Sequence, residues 1–113
     1  MISVQHTTTE DGILVFNVDG ELKIASAEDC KNEINATIDN AKANKVVLDL
    51  GNLTFLDSAG LAVFISAYKK LALIGGKLAI CSVQGQPKTI IEISNLQKII
   101  SIYPTRDEAI KAK

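Results

Sequence analysis

Apolar positions along this chain follow two rhythms: short continuous or alternating runs, and stripes spaced by three or four residues. The first marks strands and the second amphipathic helices. An opening strand is expected at Ile2–Thr8, diluted by Ser3, Gln5 and Thr7. Glu10-Asp11-Gly12 has turn chemistry, because glycine takes a positive φ without steric cost. Ile13–Val18 follows as an apolar strand, so the two runs predict a hairpin, ended by Gly20-Glu21-Leu22. Ser26 with Asp29 resembles a capping box in which Asp replaces Glu. Cys30, Ile34, Ile38 and Ala41 then recur at helical spacing, which predicts a helix over 27–43. Lys45–Leu50 (KVVLDL) is a β-branched run of the kind a buried central strand carries.

A second stripe, Leu61, Phe64, Ile65, Tyr68 and Leu71, predicts another helix that Gly75-Gly76 stops. Lys77–Val83 reads as a strand, and Pro87 suits the first turn of a short helix to about Ser94. Residues 98–102 read as a last strand, and Thr105 with Glu108 forms a capping box for a helix over Arg106–Lys113. This order implies parallel pairing across helical crossovers plus one N-terminal hairpin. The expected fold class is α/β, with a mixed sheet of about five strands and four helices. The pattern does not say which face each helix covers. So small a sheet, covered on one face alone, would need its other face polar or engaged.

At 113 residues the chain has room for one domain and one core. Twelve Lys+Arg against thirteen Asp+Glu give a net charge of -1, which argues against direct nucleic-acid binding through phosphates. Aromatics at 4%, with no Trp, leave no platform for stacking bases. No apolar stretch approaches the roughly 20 residues of a membrane helix, and the N-terminus lacks a basic start and apolar core, so neither membrane insertion nor secretion is expected. Cys30 and Cys81 form no CxxC pair; they read as half-buried free thiols of a cytoplasmic protein, and no metal site is expected.

The segment Leu53-Thr54-Phe55-Leu56-Asp57-Ser58-Ala59-Gly60-Leu61 stands out, joining the central strand to the second helix. Its plainest reading is structural: Asp57 or Ser58 is an N-cap, and Gly60 lets the turn pack closely. Three chemical readings compete. A nucleophilic Ser58 needs a base and an oxyanion hole, but the lone histidine, His6, lies on the N-terminal strand, and Asp-Ser-Ala-Gly is not the GxSxG elbow. A phosphate cradle would suit a helix N-terminus, yet there is neither a GxxxxGK[ST] loop nor a GxGxxG turn, and Asp57 would repel the ligand. In the third reading Ser58 is itself phosphorylated, adding about −1.5 to −2 charges at pH 7. Helix N–H groups would partly stabilise that phosphate and Asp57 would oppose it, so a docked partner would be repelled with little refolding.

The Leu56-Asp57-Ser58-Ala59-Gly60-Leu61 segment, the KVVLDL strand before it, the Gly20-Glu21-Leu22 turn and the Gly75-Gly76 stop before a strand together resemble a STAS domain. More narrowly, the chain is similar end to end, over 1–113, to bacterial anti-sigma factor antagonists. The resemblance implies a regulated ligand with no catalysis and no cofactor. Its partners would be an anti-sigma factor with serine kinase activity, which holds a sigma factor inactive, and a serine phosphatase. The unphosphorylated antagonist binds the kinase and frees the sigma factor. Phosphorylation of the motif serine, here Ser58, ends binding and the phosphatase restores it. By the same resemblance Asp57, Ala59, Gly60 and Leu61 belong to the docking turn. Ala59 stands where many members have a second Ser or Thr, leaving Ser58 as the clearer acceptor. Lys23 stands where phosphoswitch members commonly carry Asp beside the turn, and it would attract the phosphate.

Two other readings stay open: a non-switching STAS scaffold subunit of a stress-signalling or transporter-associated complex, and a module binding a small nucleotide or lipid. Elsewhere, His6 reads as an edge-strand residue, and Lys69 and Lys70 as a solvated or partner-facing helix face. The Thr54 hydroxyl reads as holding the loop or satisfying a backbone group. Ile90, Ile91, Ile93 and Leu96 read as core or groove lining, and Gly75-Gly76 as backbone geometry.

Overall fold

The computed structural model describes residues 2–112, and its sheet is organised by β2 (Leu14–Leu22). Alternate side chains of a strand face opposite sides. Leu14, Phe16 and Val18 accordingly enter one core, while Val15 enters a second core beneath and Asn17 is part-exposed. β1 (Ile2–Thr8) pairs antiparallel with β2 in an unbroken register from Ile2–Gly20 to Thr8–Leu14. On its other side β2 pairs parallel with β3 (Lys45–Asp49) over Leu14–Asn17 and with β4 (Leu53–Leu56) over Gly20–Leu22, the register shifting between Gly20 and Glu21. β3 and β4 thus follow one another along a single long strand. Asp49 Oδ1 accepts from Gly51 N at 3.0 Å and Asn52 O accepts from Gly20 N at 3.0 Å, fixing the turn between them. β5 (Lys77–Cys81) and β6 (Ser101–Tyr103) extend the sheet in parallel, giving the order β1-β2-β3-β5-β6 with β4 beside β2.

α1 (Ile24–Ala41), α2 (Ser58–Ala72) and α3 (Gly85–Ser94) contribute to the larger core: Ile34 and Ile38 from α1, Phe64 and Leu71 from α2, Ile91 from α3. These meet Phe16, Val46, Leu48, Leu78 and Ile80 of the sheet. Phe64 is fully buried, so its truncation to Ala would cost about 3–5 kcal/mol. The opposite face carries Val15, Val47, Ala79 and Cys81, covered by Ala109 of α4 (Arg106–Lys111). The central strands are therefore buried on both faces, which is why Val46, Val47 and Leu48 form an unbroken apolar run between Lys45 and Asp49. α4 is held at both ends. Arg106 Nε donates to Asp49 Oδ2 at 2.9 Å and Nη2 donates to Asn17 Oδ1; Lys45 Nζ donates to the carbonyls of Ile110, at 2.9 Å, and of Ala112.

A sixth strand, β4, joins the five read from the sequence, and Gly20-Glu21-Leu22 continues β2 instead of ending it, because β4 gives those residues a partner. α1 begins at Ile24, so Ser26 lies in its first turn; the Ser26 hydroxyl accepts from Lys23 N at 3.2 Å, and Asp29 has no part in the cap. Residues 96–98 form a 3₁₀ turn ahead of the short β6. Both thiols are buried outright. Gly76 is required sterically: a Cβ there would lie 2.6 Å from Asn44 O.

Candidate functional site

The 53–61 segment folds as β4, a one-residue corner and the first turn of α2. Asp57 is the N-cap of α2, in extended conformation, and its Oδ1 accepts from Gly60 N at 3.0 Å. Its other oxygen, Oδ2, accepts from Ile24 N, the first residue of α1, at 3.0 Å. One carboxylate thus satisfies an orphan donor in each of two helix N-termini, which suits both the unpaired N–H groups and the positive ends of the helix dipoles. Lys23, the N-cap residue of α1, supplies no side-chain cap of its own.

Beneath the corner the packing is tight. A Cβ on Gly60 would lie 2.5 Å from Leu56 Cδ1 and 2.8 Å from Leu22 O, so no larger residue fits without moving backbone. Leu22 and Leu56 are fully buried and are register partners. The outer edge of β4 is clamped by Gln86, whose Oε1 accepts from Leu56 N at 2.8 Å and whose Nε2 donates to Leu56 O at 2.9 Å. The Thr54 hydroxyl donates to Gly20 O at 3.0 Å. Strand end, helix start and the neighbouring loop form one rigid corner.

Ser58 is the first residue of α2 and is exposed; Ala59 and Leu61 are half-buried and Gly60 is buried. Next to them, α1 and α2 frame a groove lined by Ala27, Glu28, Lys31, Ala59, Ala62 and Val63, with Ile24 at its rim. Ile24 is 80% exposed. It continues the stripe of Ala27, Cys30, Ile34 and Ile38 by one step, yet points into solvent. Lys23 Nζ lies 3.2 Å from Glu21 Oε1, so its charge is already engaged, and this bond and charge hold the Glu21 carboxyl below its usual range.

The chemistry open to this corner is narrow. His6 sits opposite Phe16 in the sheet, whereas Ser58 follows the Leu22–Leu56 end; six residues of β2 separate the two positions, about 20 Å. His6 therefore cannot act as a base on Ser58. His6 is exposed on the edge strand, its ring 6.1 Å from that of Phe16. Among the described residues no three metal-ligating side chains converge, and no helix is long and apolar enough to cross a membrane. Burial raises the thiol of Cys30 to about 11 and also raises that of Cys81. Lys70 pairs with Asp39 at 2.7 Å across the helix ends, while Lys69 is exposed. Ile91 and Leu96 are core, and Ile93 is exposed.

Residues 5–109 match the family model of the STAS domain. The chain belongs to the STAS family. An anti-sigma F factor antagonist of Paenibacillus polymyxa is 31% identical over 99 residues, spanning 88% of this chain and 85% of that one. BtrV of Bordetella bronchiseptica is 33% identical over 102 residues, 90% of this chain and 87% of the relative. Among solved structures, an anti-sigma factor antagonist from Mycobacterium paratuberculosis superposes with a TM-score of 0.86 at 27% identity, covering 97% of this chain and 92% of that one. This STAS chain therefore has anti-sigma factor antagonists among its relatives. Its Ser58 corner is the segment that carried the resemblance.

Two features of the site were not legible in the sequence. Gln86 precedes a helical proline and shows no pattern that would mark it as a clamp on β4. Ile24 was detectable only as a stripe position lying beyond the end of the sheet it would pack on.

Proposed function

We propose that residues 1–113 form one cytoplasmic STAS domain that acts as an anti-sigma factor antagonist, switched at Ser58. In the unphosphorylated state the corner of Lys23, Asp57, Ser58, Ala59, Gly60 and Leu61 docks on an anti-sigma factor with serine kinase activity, which then releases its sigma factor. Transfer of the ATP γ-phosphoryl to the Ser58 hydroxyl ends the contact, and a serine phosphatase restores it by hydrolysis. The chain acts by binding and performs no catalysis of its own. The observation that carries this reading is the exposure of Ser58 on a rigid corner whose neighbouring carboxylate is already committed to two helix starts.

The magnitudes favour repulsion. Any acidic group that a partner brings within about 5 Å of a dianionic phosphate on Ser58 meets a repulsion of about 2 kcal/mol even at the dielectric of water, and more where the interface excludes solvent. The N-terminus of α2 steadies that phosphate by about 0.3–1 kcal/mol with or without a partner, so it does not relieve the repulsion across the interface. Lys23 offsets little, since Glu21 already holds it. An incoming surface that accepts a neutral hydroxyl must therefore accommodate a local excess of negative charge.

Wild-type and Ser58→Glu proteins, used as parallel baits in lysate of the native organism, test this reading. Retrieval of a small ATPase of the histidine-kinase-like class by wild type, and not by the Glu protein, is expected. Equal retrieval of identical partners by both, with no such ATPase among them, would replace the switch with the scaffold reading.

A further inference from the structure

The loops at the other end of the helices have a different character. α2 runs 15 residues from Ser58, about 22 Å, so its C-terminal loop lies far from the phosphorylation corner. There Leu73 and Ile74 are adjacent in sequence, 88% and 62% exposed. Scattered exposed aliphatics are ordinary, but a contiguous apolar patch marks a contact, and these two side chains are contiguous with a groove. They line a groove with Ile38, Asp39, Lys42, Ala43 and Lys70 at the ends of α1 and α2.

The charge around them is one-sided. Residues 39–45 and 69–77 hold Lys42, Lys45, Lys69, Lys70 and Lys77 against the single acid Asp39, which Lys70 pairs. That is five positive charges and one negative in a chain whose net charge is -1. Lys45 is occupied by the end of α4, and Lys77 is exposed beside it on that face of the sheet, while Lys42 and Lys69 are exposed on the helical side of the same end. The acidic pair Glu10–Asp11 belongs to the hairpin before β2, separated from β5 by β3.

We propose that this tip docks reversibly on an anionic lipid surface, with Leu73 and Ile74 entering the headgroup boundary and Lys42, Lys69 and Lys77 meeting lipid phosphates. Two protruding aliphatics flanked by exposed lysines at one end of the fold complement a surface that is negative outside and apolar below. The chain rests on the bilayer and does not cross it. Because the tip faces away from Ser58, docking leaves the corner free, and the proposal does not rest on the phosphoswitch.

Sedimentation of the full chain with vesicles tests it. Binding is expected to phosphatidylcholine vesicles containing phosphatidylglycerol, to be at least about tenfold weaker with phosphatidylcholine alone, and to be lost in high salt. Leu73→Ser/Ile74→Ser and, separately, Lys42→Asn/Lys69→Gln/Lys77→Gln should each weaken binding about tenfold or more, with unfolding midpoints unchanged because these side chains are exposed. Asn is chosen at position 42 because the backbone there is left-handed, φ 54. Ser58→Glu should bind vesicles as wild type does. Failure of wild type to sediment with anionic vesicles, or equal sedimentation of the serine double variant, would overturn the proposal. So would a concentration-dependent dimer that the double variant abolishes, since the patch would then belong to a second copy.

Discussion

Asp57 offers the sharpest quantitative handle, because its two oxygens serve two different helices. Loss of an ordinary N-cap costs about 1 kcal/mol. Thr105 is such a cap: its hydroxyl accepts from Glu108 N at 3.2 Å and serves α4 alone. Asp57→Ala removes the Gly60 bond, worth about 1 kcal/mol as a cap, and the exposed Ile24 bond, worth about another 1. The expected loss is about 2 kcal/mol, against about 1 for Thr105→Ala. Asp57→Asn separates the parts: its oxygen still accepts from Gly60 N, but its amide meets Ile24 N donor to donor, so about 1 kcal/mol should be lost. Urea denaturation of the three variants measures these values, with unchanged m-values as the check on two-state behaviour. For a domain of this size each kcal/mol lowers the melting temperature by about 4 °C, so Asp57→Ala should melt about 8 °C below wild type. If Asp57→Ala costs no more than Thr105→Ala, the carboxylate does not join the two helix starts, and the rigid-corner argument fails with it.

Three further outcomes follow from the same contacts. Gly60→Ala places a Cβ against Leu22 O and Leu56 Cδ1 and should cost about 2–3 kcal/mol in urea unfolding; a loss below 0.5 would mean the corner is looser than described. Arg106→Gln removes the clasp on Asp49 and Asn17 and should speed reaction of the Cys81 thiol with a disulfide reagent about fivefold, as about 1 kcal/mol of local protection is lost, leaving the Cys30 rate unchanged. Equal acceleration of both thiols would indicate global loosening instead. Cys30, whose thiol burial raises from 9.0 to about 11, contributes stability that is whole below pH 9 and is lost as pH rises toward 11, in total about 2–3 kcal/mol. Cys30→Ala should flatten that part of the stability–pH curve, and an unaltered slope would assign it to other groups.

Much of this molecule is written in its hydrophobic spacing. The starts of β1, β3, β5 and α4 follow from runs and caps that act locally, although β3, β5 and α4 end one or two residues before the expected Leu50, Val83 and Lys113: KVVLD needs only burial on both faces, and Thr105 caps its own helix. What escaped the sequence depends on distant partners. β4 is four residues long, with an exposed Thr54 and Phe55 in its middle, and becomes a strand only because the second half of β2 lies beside it. The start of α1 at Ile24 is set by a carboxylate 33 residues away, so Ser26 reads locally as the cap it is not. At the site, the position of Ser58 at the head of a helix was legible from Asp-Ser-Ala-Gly-Leu. The clamp by Gln86 was not, since a glutamine that imitates a strand partner leaves no periodic trace. Lys23 was read as attracting the phosphate, whereas Glu21, at the end of β2, engages it.

The central claim is that one phosphate on Ser58 abolishes docking. The direct measurement incubates the protein with ATP and the ATPase it captures, maps the modified residue by mass spectrometry, and titrates modified and unmodified chains against that ATPase by calorimetry. The account predicts a single phosphate on Ser58, none on Ser58→Ala, and binding weakened about thirtyfold or more, the factor set by about 2 kcal/mol of repulsion between the phosphate and one facing acidic group of the partner. A phosphate on another residue, or phosphorylated Ser58 with undiminished affinity, would contradict it.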